Sequence, residues 1–169
     1  MINPKWLAQE QFDLAVEALP LVSADLCFVC DGKLLLGKRN NKPAQGWWFT
    51  PGGRIRKGEA WSNALQRIAQ EEVGMACLKT SQPFLMGVWD HFYENSAFND
   101  RVSTHYVNMP YYCELKSEQI CKFALPFGKL EQHSEWRWVS LDSAASDSSV
   151  HSYVRVYAQW ILDAALNKK

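Results

Sequence analysis

The stretch Gly52-Gly53-Arg54-Ile55-Arg56-Lys57-Gly58-Glu59, running on to Glu71-Glu72-Val73-Gly74, constrains this chain more than any other. Without a Cβ at Gly52 and Gly53, backbone amides and carbonyls can approach a ligand closely. Between Glu59 and Val73 the apolar residues Trp61, Ala64, Leu65 and Ile68 recur at helical spacing and predict one face of a helix. Glu72 falls on that face, four residues after Ile68. A carboxylate ending an apolar stripe is costly unless a cation compensates it. Hard divalent cations such as Mg²⁺ take oxygen ligands from a few carboxylates and from phosphate groups. The loop and helix therefore read as a unit for a divalent metal and a phosphorylated ligand.

The flanking segments predict alternating strands and helices. Asn3-Pro4 is a helix-start signal, and Leu7 to Leu19 is apolar at roughly helical period. Leu21 to Val29 and Lys33 to Gly37 read as strands joined at the turn signal Asp31-Gly32. Asn40 to Gly46 reads as a polar loop, and Trp47 to Thr50 as a short aromatic strand leading into the glycines. Phe84 to Tyr93 and Val102 to Leu115 predict two long strands, Leu125 to Ser134 a loop, and Glu135 to Val139 a strand. Asp147 or Ser149 can cap a final helix whose inner face is Val150, Tyr153, Val154, Tyr157, Ile161 and Ala164.

At 169 residues, without a shift in composition, the chain suits one domain with a real core, residues 1–169. Eighteen basic residues balance eighteen acidic ones, so no global field draws the protein to nucleic acid or to a membrane surface. A phosphate-bearing ligand must then be held by local arginines and a metal. With no long apolar run and no leader pattern, the expected location is the cytoplasm. The five cysteines, at positions 27, 30, 77, 113 and 121, form no disulfide framework. Cys27 and Cys30 lie in a predicted strand, where residues three apart point to opposite faces, which opposes a shared metal.

The spacing of Gly53, Glu59, Arg67, Glu71, Glu72 and Gly74 resembles the Nudix box, the signature of hydrolases acting on nucleoside diphosphates linked to another group. The box has a glutamate directly after its arginine, and here that residue is Ile68. Further stretches resemble the GDP-mannose mannosyl hydrolase branch of the family. They are Pro20 to Asp25, Leu35 to Arg39, Pro43 to Phe49, Gly87 to Tyr93, Thr104-His105-Tyr106 and Glu131-Gln132-His133. That branch also lacks the glutamate after the arginine. It has a small residue where Glu71 stands, so Glu71 here either adds a ligand or has no part in the site.

The resemblance implies an α/β Nudix fold, a mixed β-sheet sandwiched between α-helices. It also implies a reaction in which water attacks the anomeric carbon of a GDP-sugar with inversion, releasing GDP and free mannose or glucose. Gly52 through its carbonyl, Glu72 and Gln132 would hold one Mg²⁺, for which Mn²⁺ can substitute. Arg39, Arg54 and Tyr106 would neutralise the leaving diphosphate, where positive charge matters most. His133 would be the general base, with a side chain whose ordinary pKa suits neutral pH. Asp25 would steady the sugar or the charge growing on it, and His91 would contact substrate or serve packing. Arg67 pairs with Glu71 or orients metal carboxylates, and Glu59 would support the loop. A homodimer is expected. Two other outcomes stay open: a pyrophosphohydrolase yielding GMP and a sugar 1-phosphate, and a non-catalytic module sensing nucleotide sugars.

Overall fold

The computed structural model describes residues 8–75, 78, 82–97, 99–120, 123–125 and 132–166. The helix start at Asn3-Pro4, Cys77, Cys121 and the predicted loop at 126–131 lie outside these residues. The elements run α1 (Gln9–Ala18), β1 (Leu21–Cys30), β2 (Lys33–Arg39), β3 (Trp48–Phe49), β4 (Gly52–Arg54) and α2 (Trp61–Val73). They continue as β5 (Phe84–Leu85), β6 (Trp89–Tyr93), β7 (Thr104–Glu114), α3 (Ser117–Ile120), β8 (His133–Ser140), α4 (Leu141–Ser146) and α5 (Ser152–Leu166).

β1 is the centre of a mixed sheet. It runs parallel to β7 from Leu21↔Tyr106 to Val29↔Glu114, while the other strand pairs are antiparallel. Both faces of β1 are covered, so its residues read as a continuous apolar run rather than an alternating one. Ala24, Leu26, Phe28 and Cys30 join Leu65, Ile68, Ala69 and Val73 of α2 in one core. Cys27 and Val29 join Val154, Tyr157, Ala158 and Ile161 of α5 in the other. The sheet is thus sandwiched between helices, and the two thiols sit on opposite faces as the strand period requires. Each fully buried Val, Leu, Ile or Phe among them contributes about 1.5–3 kcal/mol.

The site opens where the sheet splits. β2 pairs with β1 only beside the turn, at Val29↔Leu34 and Cys30↔Lys33. Asp31 and Gly32 there both have positive φ, 48° and 70°, as a tight hairpin of this kind demands. Beyond the turn β2 leaves for β8 and β3, and β4 takes its place against Ser23, Ala24 and Asp25. The glycine loop is therefore laid directly beside the buried half of β1.

Four expectations need correction. The segment from Phe84 to Tyr93 is two strands, because Pro110 of β7 has no N–H to give to a ladder. Pairing shifts by one residue across it, from Leu85↔Tyr111 to Trp89↔Asn108. Trp61 begins α2 but is 56% exposed, stacked at 5.9 Å on Tyr111 rather than buried. A short helix, α4, precedes the final one, with the Ser140 hydroxyl accepting from the Ser143 amide at 3.2 Å. Asp147 and Ser149 do not cap α5, which starts at Ser152: the Asp147 carboxylate accepts from the Ser149 amide at 2.7 Å and from Arg137 at 3.0 Å.

Candidate active site

α2 ends at Gly74, whose φ of 68° lets its amide turn back to Gln70 and close the helix. One residue of this helix clamps the loop. The Arg67 guanidinium donates to both oxygens of Glu59, at 2.7 and 2.9 Å, and to the Arg54 carbonyl at 2.8 Å. It also donates to Glu71 at 2.9 Å. Glu59 accepts from the Arg56 amide at 2.9 Å as well. Arg67 holds the Glu59 carboxyl below its usual pKa, chiefly through these hydrogen bonds. Glu71 takes a second cation, Arg56, at 3.2 Å.

Glu72 is in a different position. Its side chain is 13% exposed and lies 3.3 Å from His133 Nδ1, yet its Oε2 is buried without a hydrogen bond. Ile68, one turn earlier, is 1% exposed and packs beneath Gly53. Of the box carboxylates, only Glu72 keeps an uncommitted oxygen. Among the described residues no three His, Cys, Asp or Glu side chains gather into a metal cluster. A cation bound here would have one carboxylate and otherwise neutral or substrate oxygens. The Gln132 amide supplies one such group, its Nε2 lying 3.5 Å from the Gly52 carbonyl. Rotation of that amide by half a turn puts its oxygen there instead. An orphaned buried carboxylate oxygen, a backbone carbonyl and an amide form a hard-oxygen set that fits a single Mg²⁺.

A cavity of about 400 Å³ lies beside the glycine loop. Asp25, Arg39, Gly52, Arg54, His91, Tyr106 and Gln132 line it. Glu72 and His133 are not on its wall. Sequence pattern places His133 in a loop, whereas in the structure it opens β8 opposite Arg39. It is 1% exposed, wedged against Gly37 and the Trp136 ring at 4.6 Å. Its Nε2 makes no hydrogen bond.

The cationic groups are held in place. Arg39, the last residue of β2, donates to the Pro43 carbonyl at 3.0 Å. Arg54, the last residue of β4, stacks its guanidinium 4.4 Å from the Phe12 ring of α1. Burial raises the Tyr106 pKa despite the nearby Arg54 and Arg39, so its phenol stays a neutral hydrogen-bond donor.

Asp25 is the only carboxylate among the described residues lining the cavity. Its Oδ2 accepts from Asn108 Nδ2 at 2.9 Å and from the Tyr157 hydroxyl at 2.8 Å. Burial outweighs these two hydrogen bonds and the Arg39 charge, and lifts its pKa from 3.8 to about 6. Its Oδ1 faces Gly52, where an added Cβ would stand 2.2 Å away; the glycine is a steric requirement. His91 touches the same hydroxyl, Nε2 to Tyr157 Oη at 2.8 Å, and burial lowers its pKa to about 3. Sequence alone gives Asn108, Tyr93 and Tyr157 no individual role at the site. Tyr157 and Asn108 look like ordinary core positions until the fold sets them against Asp25.

A glycine loop clamped to a helix, beside a cavity with two guanidinium groups, is the frame of a hydrolase. The chain belongs to the Nudix family, whose NUDIX domain model matches residues 20–160. Nudix hydrolases in general use Mg²⁺ or Mn²⁺. Low-salt glycan biosynthesis protein Agl8 of Haloferax volcanii is 39% identical over 101 residues, 60% of this chain and 63% of that protein. ADP-ribose pyrophosphatase of Methanocaldococcus jannaschii is 39% identical over 56 residues, a third (33%) of each chain. The match therefore spans less than two thirds of either relative's length. Among solved structures, a MutT NUDIX hydrolase from Burkholderia pseudomallei is 26% identical with a TM-score of 0.64, covering 85% of this chain and 98% of that one. No helix among the described residues is long and apolar enough to cross a membrane.

Proposed function

We propose that this protein hydrolyses GDP-mannose, and GDP-glucose as well, at the anomeric carbon with inversion, giving GDP and free sugar with the help of Mg²⁺. The observation that carries the reading is the poverty of carboxylates in the box. Arg67 and Arg56 occupy Glu59 and Glu71, and Ile68 fills the core beneath Gly53. Only Glu72 is left for a metal. Gathering several cations around a diphosphate to drive attack at phosphorus needs more. Breaking the sugar–oxygen bond needs less, because the charge then develops on a departing diphosphate.

The cavity wall supports that departure. Arg39 and Arg54 would bind the diphosphate, with Tyr106 donating a further hydrogen bond. Asp25 would face the positive charge growing at the anomeric carbon, its Oδ1 turned to Gly52. When bound by Gly52, Glu72 and Gln132, Mg²⁺ would supply further positive charge to the leaving group. His133 Nε2, which makes no hydrogen bond of its own, would accept the proton of the attacking water. Because His133 is enclosed, Nε2 must be uncovered as substrate binds. His91 would contact the substrate from β6. The name of the Haloferax relative, a glycan biosynthesis protein, is in keeping with a sugar nucleotide. We place the enzyme in the cytoplasm and expect it to act as a homodimer, without nucleic acid or membrane partners.

The Methanocaldococcus relative, named as a pyrophosphatase, favours a second reading in which the same substrate yields GMP and a sugar 1-phosphate. Turnover in ¹⁸O-labelled water separates the two. Label in the free sugar is the expected result; label in a phosphate product, or GMP as the first nucleotide, overturns it.

A further inference from the structure

Behind the cavity a single hydroxyl joins two of its walls. Tyr157 Oη lies 2.8 Å from Asp25 Oδ2, 2.7 Å from Asn108 Nδ2 and 2.8 Å from His91 Nε2. All four residues are buried. Tyr157 itself does not line the cavity, whereas Asp25, Asn108 and His91 do. Three polar neighbours around one oxygen restrict where the hydrogens sit.

The orientation of Asn108 follows first. Its amide oxygen cannot stand 2.9 Å from an ionised carboxylate oxygen, so nitrogen faces Asp25. The Ser23 hydroxyl then donates to Asn108 Oδ1 at 2.6 Å. The two hydrogens of Asn108 Nδ2 go to Asp25 Oδ2 and to Tyr157 Oη. The single Tyr157 hydrogen goes to the remaining strong acceptor, Asp25 Oδ2. His91 Nε2, still 2.8 Å from the same oxygen, must then be the donor of that contact. His91 is left as the Nε2–H tautomer, with Nδ1 as an acceptor. Desolvation, which keeps His91 neutral, agrees with this assignment. Its ring is also fixed in plane, 3.8 Å from the Tyr153 ring at an interplanar angle of 2°.

We propose that Tyr157 is a positioning residue for the reaction at this cavity: its hydroxyl ties down Asp25 Oδ2, leaves Oδ1 for the substrate, and fixes His91 in the Nε2–H tautomer. This rests on the cavity being the site of GDP-sugar hydrolysis. α5, otherwise a packing helix, thereby reaches into the chemistry through this hydroxyl, beside the Tyr153 ring that stacks on His91. A hydroxyl already in place needs no reorganisation when charge develops nearby.

Tyr157→Phe keeps the ring and removes the hydroxyl. The expected result is a fall in kcat of about tenfold, the scale of one hydrogen bond to a charged group, with KM changed less than about twofold. In an Asp25→Asn background the same change should cost nothing further, since the two act as a unit. An additive loss in the double variant, or an unchanged kcat in Tyr157→Phe, overturns the proposal. Nitrogen-15 spectra of His91 give a readout that needs neither substrate nor variant. The wild type should show a proton on Nε2 and none on Nδ1, and the opposite tautomer sinks the hydrogen-bond assignment. If the wild type has that tautomer but does not release GDP from GDP-mannose, the functional reading fails while the network stands.

Discussion

Replacing Asp25 by asparagine should make this protein more stable and less active. In the folded state Asp25 is buried and its pKa stands near 6 against an ordinary 3.8. One pKa unit is worth about 1.36 kcal/mol, so the difference amounts to roughly 3 kcal/mol. The direction follows from which state holds the proton more tightly. Below pH 3.8 the carboxyl is protonated in both states and adds nothing. As pH rises from there, the unfolded chain ionises first and gains, while the folded chain keeps a proton it must later give up. Above about pH 6 the folded state bears the full penalty of a buried charge. Asparagine has no such dependence, and its oxygen can take the two hydrogen bonds that Oδ2 now accepts. Urea denaturation of both proteins, in a chelator to remove metal, gives the difference at pH 4 and pH 7.5. That difference should grow in favour of the variant by about 2.4 kcal/mol, since part of the penalty is already present at pH 4, or about 5–10 °C in Tm for a chain of this size. Turnover at pH 7.5 should meanwhile fall by about 10²–10³, the usual loss of an electrostatic contact to a developing charge. Comparing the variant with wild type cancels the other titrating groups, His91 and His151 included. A stability difference flat with pH would refute the assignment of the penalty to Asp25, and retained turnover would remove it from the reaction.

Two further substitutions test the rest of the site. Glu72→Gln removes the one uncommitted box carboxylate, so the Mg²⁺ concentration for half-maximal turnover should rise by about tenfold or more; an unchanged metal titration would strike it from the ligand set. His133→Gln should slow turnover by about 10²–10⁴, the range for losing a general base, and near-normal rates from neutral to mildly alkaline pH would show that Nε2 takes no proton.

What could be read from the sequence is what neighbours in the chain determine. The glycine loop, the hairpin at Asp31-Gly32 and the buried stripe of α2 each follow from local spacing. Even the opposed faces of Cys27 and Cys30 follow from strand period alone. Most of the differences trace to a partner far along the chain. His133 passed for a loop residue because its place is set by pairing with Arg39 across the sheet. The break between β5 and β6 is written in Pro110, on the facing strand. Tyr157 gives no local hint of a polar role, for its hydroxyl meets Asp25 only after α5 has packed on the sheet. The cap at Ser140, by contrast, is a local signal for α4.

The single departure from the box, Ile68, connects packing to chemistry. It sits in the core with its side chain 3.3 Å from where a Cβ on Gly53 would be. A carboxylate at 68 would need a cation beside it to remain ionised there, and the adjacent Arg67 is already spent on Glu59 and Glu71. With isoleucine the demand disappears, and α2 is reduced to two tasks: clamping the loop and presenting Glu72. The groups able to act on a substrate then come from the strands, Asp25 from β1, Arg39 from β2, Arg54 from β4, His91 from β6 and Tyr106 from β7. On the cavity wall stand Arg39, Arg54 and Lys42, the last paired with Asp100, against one lining carboxylate, Asp25. In the reaction proposed above, such a surplus of positive charge would stabilise a diphosphate more as it departs than while it is still esterified to the sugar, because departure concentrates its negative charge.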